Sequence, residues 1–187
     1  MGLSFVTAPA EEPVTLEQAK AQCRVDAADE DALIASLIPA ARESVEHLLG
    51  RALMTQTLER TLDAFPAGAI ALAMPPVSAV TSIQYIDTDG AEQTLAAELY
   101  VLDADADPPS VRPAPGAAWP STYGVPNAVR VRFVAGHADA DAVPQAVRHW
   151  ILLVVGHWYA NREAAGVRQM PVLPFVDGLL DRWRTWA

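Results

Sequence analysis

The segment Gly136-His137-Ala138-Asp139-Ala140-Asp141 sets an imidazole and two carboxylates close together. Such a donor set holds a divalent metal, and with it an activated water, if another part of the fold converges on it. A small metal-dependent hydrolase using His137, Asp139 and Asp141 is therefore one reading. The simpler one is a solvated acidic loop leading into a helix. Asp103, Asp105 and Asp107 alternate as carboxylates do at the start of a calcium loop, yet Pro108 stands where that loop needs glycine and Ala114 where it needs a bidentate glutamate. His149 and His157 are eight residues apart, too far to share an ion as an i, i+4 pair does. His47, near Glu43 and Glu46, suits the negative end of a helix and needs no catalytic role. The chain has no nucleophile elbow, phosphate-cradling glycine loop, dinucleotide fingerprint or zinc pattern. The expectation is a protein that is not an enzyme, with no catalytic residue, metal or cofactor.

The elements that must carry these residues follow from the apolar spacing. Thr15 and Gln18 form a capping box for a short helix reaching about Arg24. Asp29, Glu30 and Asp31 then open a second helix whose stripe includes Leu33, Ile34, Leu37, Ile38, Ala41, Val45 and Leu49, with Gly50 as its stop. Pro39 inside that stripe predicts a kink or a break. From Leu53 to Gly136 the helical period gives way to Val- and Thr-rich alternation. There Asp87-Thr88-Asp89-Gly90 reads as a hairpin turn, and Val129, Val131 and Phe133 as the buried face of a strand. Residues 107 to 126, dense in Pro and Gly, read as an irregular excursion whose Trp119 and Tyr123 are exposed or docked on a neighbour. Pro144 opens a third helix.

The fold class is α+β: a helical core built from both ends of the chain, with an inserted β-rich subdomain. The boundaries expected are an N-terminal helical part at 1–52, the β-rich insertion at 53–136 and a C-terminal helical part at 137–187. At 187 residues one core with a smaller insertion fits better than two independent domains.

Thirteen basic against 23 acidic residues give a formal charge of −10. No run of Lys or Arg supplies the positive surface that phosphate neutralisation needs, so tight nucleic-acid binding is disfavoured. Cys23 is the only cysteine, which removes an intrachain disulfide and a multi-cysteine metal cage. No apolar run reaches a membrane span, and Met1 to Val6 lacks the pattern of a secretory signal, so the expected site of synthesis is the cytosol, with no membrane partner.

The third helix is apolar on nearly every face from Trp150 to Val155. Trp150, Ile151, Val154, Val155, Trp158 and Tyr159 are accordingly the candidate subunit interface, together with Trp119 and Tyr123. Phe175, Leu179, Leu180, Trp183 and Trp186 form a terminal amphipathic stripe that either packs on the chain's own core or anchors in a partner's groove.

An ordered series of motifs resembles the head-tail connector, or adaptor, proteins of long-tailed phages and gene transfer agents. It begins with Val14-Thr15-Leu16-Glu17-Gln18-Ala19-Lys20, Leu37-Ile38-Pro39-Ala40-Ala41-Arg42-Glu43 with Glu46, Gly50-Arg51-Ala52-Leu53 and Thr55-Gln56-Thr57. It continues through Phe65-Pro66, Pro75-Pro76-Val77, Ile83-Gln84-Tyr85-Ile86-Asp87 with Gly90, and Tyr100. Ala135-Gly136-His137, Val143-Pro144 and His157-Trp158-Tyr159-Ala160-Asn161-Arg162-Glu163 complete it. The Lys-poor composition, with Lys20 the sole lysine, departs from typical members.

The resemblance implies a homo-oligomeric ring, a dodecamer, in the neck of a virion or phage-like particle. Its partners would be a portal protein and a stopper or tail-completion protein, with DNA passing through without specific binding. The terminal stripe from Phe175 to Trp186 would then grip the portal. An acidic channel wall keeps a passing polyanion from sticking. Another neck component, a stopper or tail-completion protein, and a cytosolic oligomer unrelated to viruses are the alternative binding proteins.

Overall fold

The computed structural model describes residues 2–162 and 178–184. They form three helices and two antiparallel sheets, a mixed α+β chain. The chain divides into two compact units, one of residues 1–10 with 55–136 and the other of 11–54 with 137–187.

The first unit is built from strands. A five-stranded sheet runs β1 (Gly2–Thr7), β2 (Gln56–Leu62), β8 (Val129–Ala135), β4 (Val77–Ile86), β5 (Glu92–Thr94), and a three-stranded sheet runs β3 (Ile70–Ala71), β7 (Ser110–Pro113), β6 (Tyr100–Asp103). The register places Leu58 opposite Phe133 and Val131 opposite Ile83, all fully buried, so alternate residues of the central strands make the apolar face. On the other face Arg132 pairs with Glu59 at 2.8 Å and Arg130 with Glu92 at 2.6 Å. The hairpin between β4 and β5 forms as the sequence predicts. The Asp87 carboxylate accepts hydrogen bonds from the backbone N–H groups of Asp89 and Ala91, and Gly90 sits at φ +83°. Two features differ from the reading. Gly2–Thr7, expected with the N-terminal helical part, is a strand paired with β2. The proline-rich excursion contains β7, paired with β3 and β6.

The second unit holds α1 (Leu16–Cys23), α2 (Asp31–Leu49) and α3 (Gln145–Ala160). The capping box at Thr15 and Gln18 closes in both directions, and Arg24 ends α1 in the left-handed conformation. α2 runs unbroken through Pro39 and stops at Gly50, φ +65°. The stripe Ile34, Ile38, Ala41, Val45, Leu49 meets Val147, Ile151 and Val155 of α3 in one core. α1 passes close to α3 at Gly156, where a Cβ would stand 3.3 Å from the Gln22 side chain. Among the described residues no helix is long and apolar enough to cross a membrane.

Candidate functional site

The residues nominated on α3 are mostly used by the unit that carries them. Trp150 is 4% exposed, Ile151 and Val155 are fully buried and Val154 nearly so, all within the core shared with α1 and α2. α1 and α2 of the same chain cover these residues, while Leu152 and Leu153 of the same apolar stretch are only partly buried. Trp158 and Tyr159 pack at the rim of that core. There the Tyr159 hydroxyl donates to the Glu30 carboxylate, and Arg162 Nη2 donates to the same carboxylate at 2.5 Å while its guanidinium lies 5.0 Å above the Tyr159 ring. The tyrosine hydrogen bond and Arg162 hold the Glu30 carboxyl below the usual range, and the same hydrogen bond to Glu30 raises the Tyr159 hydroxyl. The group ties the end of α3 to the start of α2.

Leu180 is fully buried in the helical core, with Leu179 and Trp183 packed against it. Arg51 Nε donates to the Trp183 carbonyl at 2.8 Å. The described part of the terminal stripe therefore packs on its own unit, the first of the two alternatives, through a short 3-10 turn at Asp181–Trp183. Phe175 and Trp186 lie outside the described residues.

Trp119 stacks on Phe65 at a centroid separation of 4.9 Å, and its indole N–H donates to the Gly68 carbonyl at 2.8 Å. It lines an open groove of about 670 Å³ with Phe65, Pro66, Pro113 and Pro120, in the strand unit. Tyr123 is about half exposed.

The candidate metal donors are turned to other tasks. Asp139 accepts a hydrogen bond from the Ala142 N–H and caps the turn before α3, while Asp141 pairs with Arg148 at 3.0 Å. Burial and the nearby Arg51 hold the His137 imidazole below its usual pKa, against a smaller pull from Asp139. Asp103 pairs with Arg112 at 2.8 Å. Among the described residues no group of three His, Cys, Asp or Glu side chains is arranged to hold a metal ion.

Two features went unread in the sequence. Arg42 is 4% exposed and sits between Glu12 at 2.8 Å and Glu46 at 2.9 Å, and Glu46 Oε1 accepts from the Leu53 N–H at 2.7 Å. Burial works against the Arg42 charge, but the two carboxylates outweigh it and leave its pKa raised. The i, i+4 spacing of Arg42 and Glu46 was the available signal. The second is β1, whose alternation of Leu3, Phe5 and polar residues is a strand signal.

Residues 13–87 match the family described as phage gp6-like head-tail connector protein. No curated protein matches the chain. Solved structures of similar chains come from gene transfer agent particles, and the similarity spans 100% of this chain and 97% of each of them. A chain from the neck of an empty particle, computed with C6 symmetry, is 26% identical with a TM-score of 0.82. One from the virion of a native particle is 27% identical with a TM-score of 0.80. A third, from the neck of a native particle, computed with C12 symmetry, is 28% identical with a TM-score of 0.75.

Proposed function

We propose that this chain, a head-tail connector protein by its family match and its likeness to neck proteins, is a structural subunit of the neck of a phage-like particle. It assembles as a ring, of twelve copies, between a portal protein and tail-side neck proteins, and DNA passes through the channel. Its helical unit is the adaptor core and its strand unit the insertion. It performs no catalysis. The observation that carries this reading is the end-to-end likeness to chains from particle necks computed with C6 and C12 symmetry. The formal charge of −10 is consistent with a channel that does not retain a polyanion.

Light scattering and negative-stain imaging of the purified chain, alone and mixed with the portal protein of the same particle, test the proposal. Rings, or portal-dependent capture that weakens when Trp183 and Trp186 are both replaced by alanine, support it. A compact monomer that ignores portal and tail-side proteins overturns it.

A further inference from the structure

The exposed large apolar side chains of the described residues concentrate on two strand edges of one unit. Leu3, Phe5 and Val6 lie on β1, and Leu99 and Val101 lie beside and on β6, whereas Leu33, Leu48 and Tyr123 stand apart from them. β1 is the outermost strand of its sheet, and all six of its residues are exposed. Phe5 opposes Leu58, which opposes Phe133, so the buried apolar face of the sheet continues onto β1 and loses its cover there, with Phe5 64% exposed. β6 is the outermost strand of the other sheet, with Val101 47% exposed.

Sheet edges present unpaired backbone N–H and C=O groups, and soluble proteins blunt them with charge, proline or shortness. β5 follows that rule with three polar residues, one of them Glu92, ion-paired to Arg130. β1 does not. Gly2–Thr7 contains no charge and no proline, and the single charged residue of β6, Asp103, is neutralised by Arg112.

The geometry points to β1 and β6 as the two halves of one contact between copies of this chain: the β1 edge of one copy adds a strand to the β6 edge of the next, and Leu3, Phe5 and Val6 cover Leu99 and Val101. A second copy fits better than an unrelated partner for three reasons. Both unprotected edges belong to the same unit, so each copy carries both a donor and an acceptor. A contact between two different patches propagates head to tail and closes into a ring, without a two-fold patch. Within the two strands the one carboxylate, Asp103, is paired with Arg112, so copies that each carry a formal charge of −10 set no unpaired carboxylate of one strand against the other, and exposed Glu98 lies outside β6. The inference rests on the ring reading proposed above.

The test begins with wild-type assembly, alone and on the portal protein, read by mass and imaging. Leu3→Cys or Phe5→Cys is then combined with Leu99→Cys or Val101→Cys in a full-length chain carrying Cys23→Ser, and the assembled protein is mildly oxidised. At least one combination gives a ladder of covalent multimers on non-reducing gels that collapses on reduction, while single-cysteine chains stop at dimers. Phe5→Lys lowers the yield of rings at least tenfold and leaves far-UV circular dichroism unchanged. If wild type forms rings but every combination stays unlinked and Phe5→Lys assembles at the wild-type yield, the β1–β6 contact is wrong and the ring reading stands. A disulfide closed within one chain also overturns it, because β1 and β6 then meet in the same copy. Failure of wild type to form rings under either condition removes both the ring reading and this contact.

Discussion

Replacing Leu180 by alanine tests whether the end of the chain belongs to its own core or to a partner. Leu180 is fully buried against the helical unit, and the turn that holds it is fixed by the Trp183 N–H donating to the Leu180 carbonyl at 2.8 Å and by Arg51 donating to the Trp183 carbonyl. Full burial of a leucine is worth about 1.5–3 kcal/mol of transfer free energy, and Leu→Ala truncations add a cavity term that brings the loss to about 2–5 kcal/mol. Leu180 lies near the end of the chain, where its neighbours can close part of the space, so the expected loss is about 2–3 kcal/mol. For a chain of this size that lowers the melting temperature by roughly 5–10 °C. The assay is thermal and urea unfolding followed by far-UV circular dichroism, dominated by the three helices, and by tryptophan fluorescence. Arg51→Ala, which removes one hydrogen bond to the same turn, is expected to lose about 1 kcal/mol. Unchanged stability in Leu180→Ala, together with weakened capture by the portal protein, would refute the packing and return Leu180 to the portal-gripping role that the sequence suggested.

The buried Arg42 gives a second prediction. Its side chain is 5% exposed and that of Glu46 is 3% exposed, so Arg42→Met strands a buried carboxylate and is expected to lose about 3–5 kcal/mol in urea unfolding. Adding Glu46→Gln, which keeps an acceptor for the Leu53 N–H, recovers about 1–3 kcal/mol of that loss in a double-mutant cycle, whereas additive losses would mean the pair is not coupled. Glu12→Gln, at the more exposed end of the same network, loses about 1 kcal/mol or less. A third prediction concerns pH. The folded state holds His137 at a lowered pKa, so the unfolded chain binds the proton more readily, and the stability His137 contributes above about pH 6.5 is lost as pH falls through the folded value. His137→Gln should flatten the stability profile between about pH 7 and pH 5, and an unchanged slope would show that other groups set it.

How much could be read beforehand differs between local and long-range features. The capping box at Thr15, the stop at Gly50, the Asp87–Gly90 turn and the alternation of Val129, Val131 and Phe133 depend on neighbours a few residues away, and each forms as its spacing predicts. Pro39 was harder. Its ring removes one backbone hydrogen bond, but the surrounding stripe of Ile34, Ile38, Ala41 and Val45 is fastened to the core on both sides, and the helix continues. The pairing of Gly2–Thr7 with Gln56–Leu62 joins residues from Thr7 with Thr57 to Gly2 with Thr61 across two helices, and nothing local to the strand names its partner. The same holds for the candidate metal donors. His137, Asp139 and Asp141 are adjacent in sequence, but a chelate depends on where each side chain points, and an N-cap and an ion pair with Arg148 had prior claim on the two carboxylates.

From composition alone, the apolar surplus of α3 does not distinguish a subunit interface from the chain's own core. A helix that is apolar around most of its circumference must be covered, but the covering elements can come from the same chain when two further helices are available. α1 and α2 supply them, and α1 passes close to α3 at Gly156. Once Trp150, Ile151 and Val155 are satisfied internally, assembly between copies has to draw on surfaces the chain leaves bare. In the helical unit the bare large apolar side chains among the described residues are Leu33 and Leu48, separated by four turns of α2, too far apart to make one patch. In the strand unit all but Tyr123 are clustered on β1 and around β6, where exposed backbone edges add directed hydrogen bonds to the apolar contact. A ring needs a contact that is repeated with one orientation at every step, and strand pairing fixes orientation and register in a way that two isolated leucines on a helix do not.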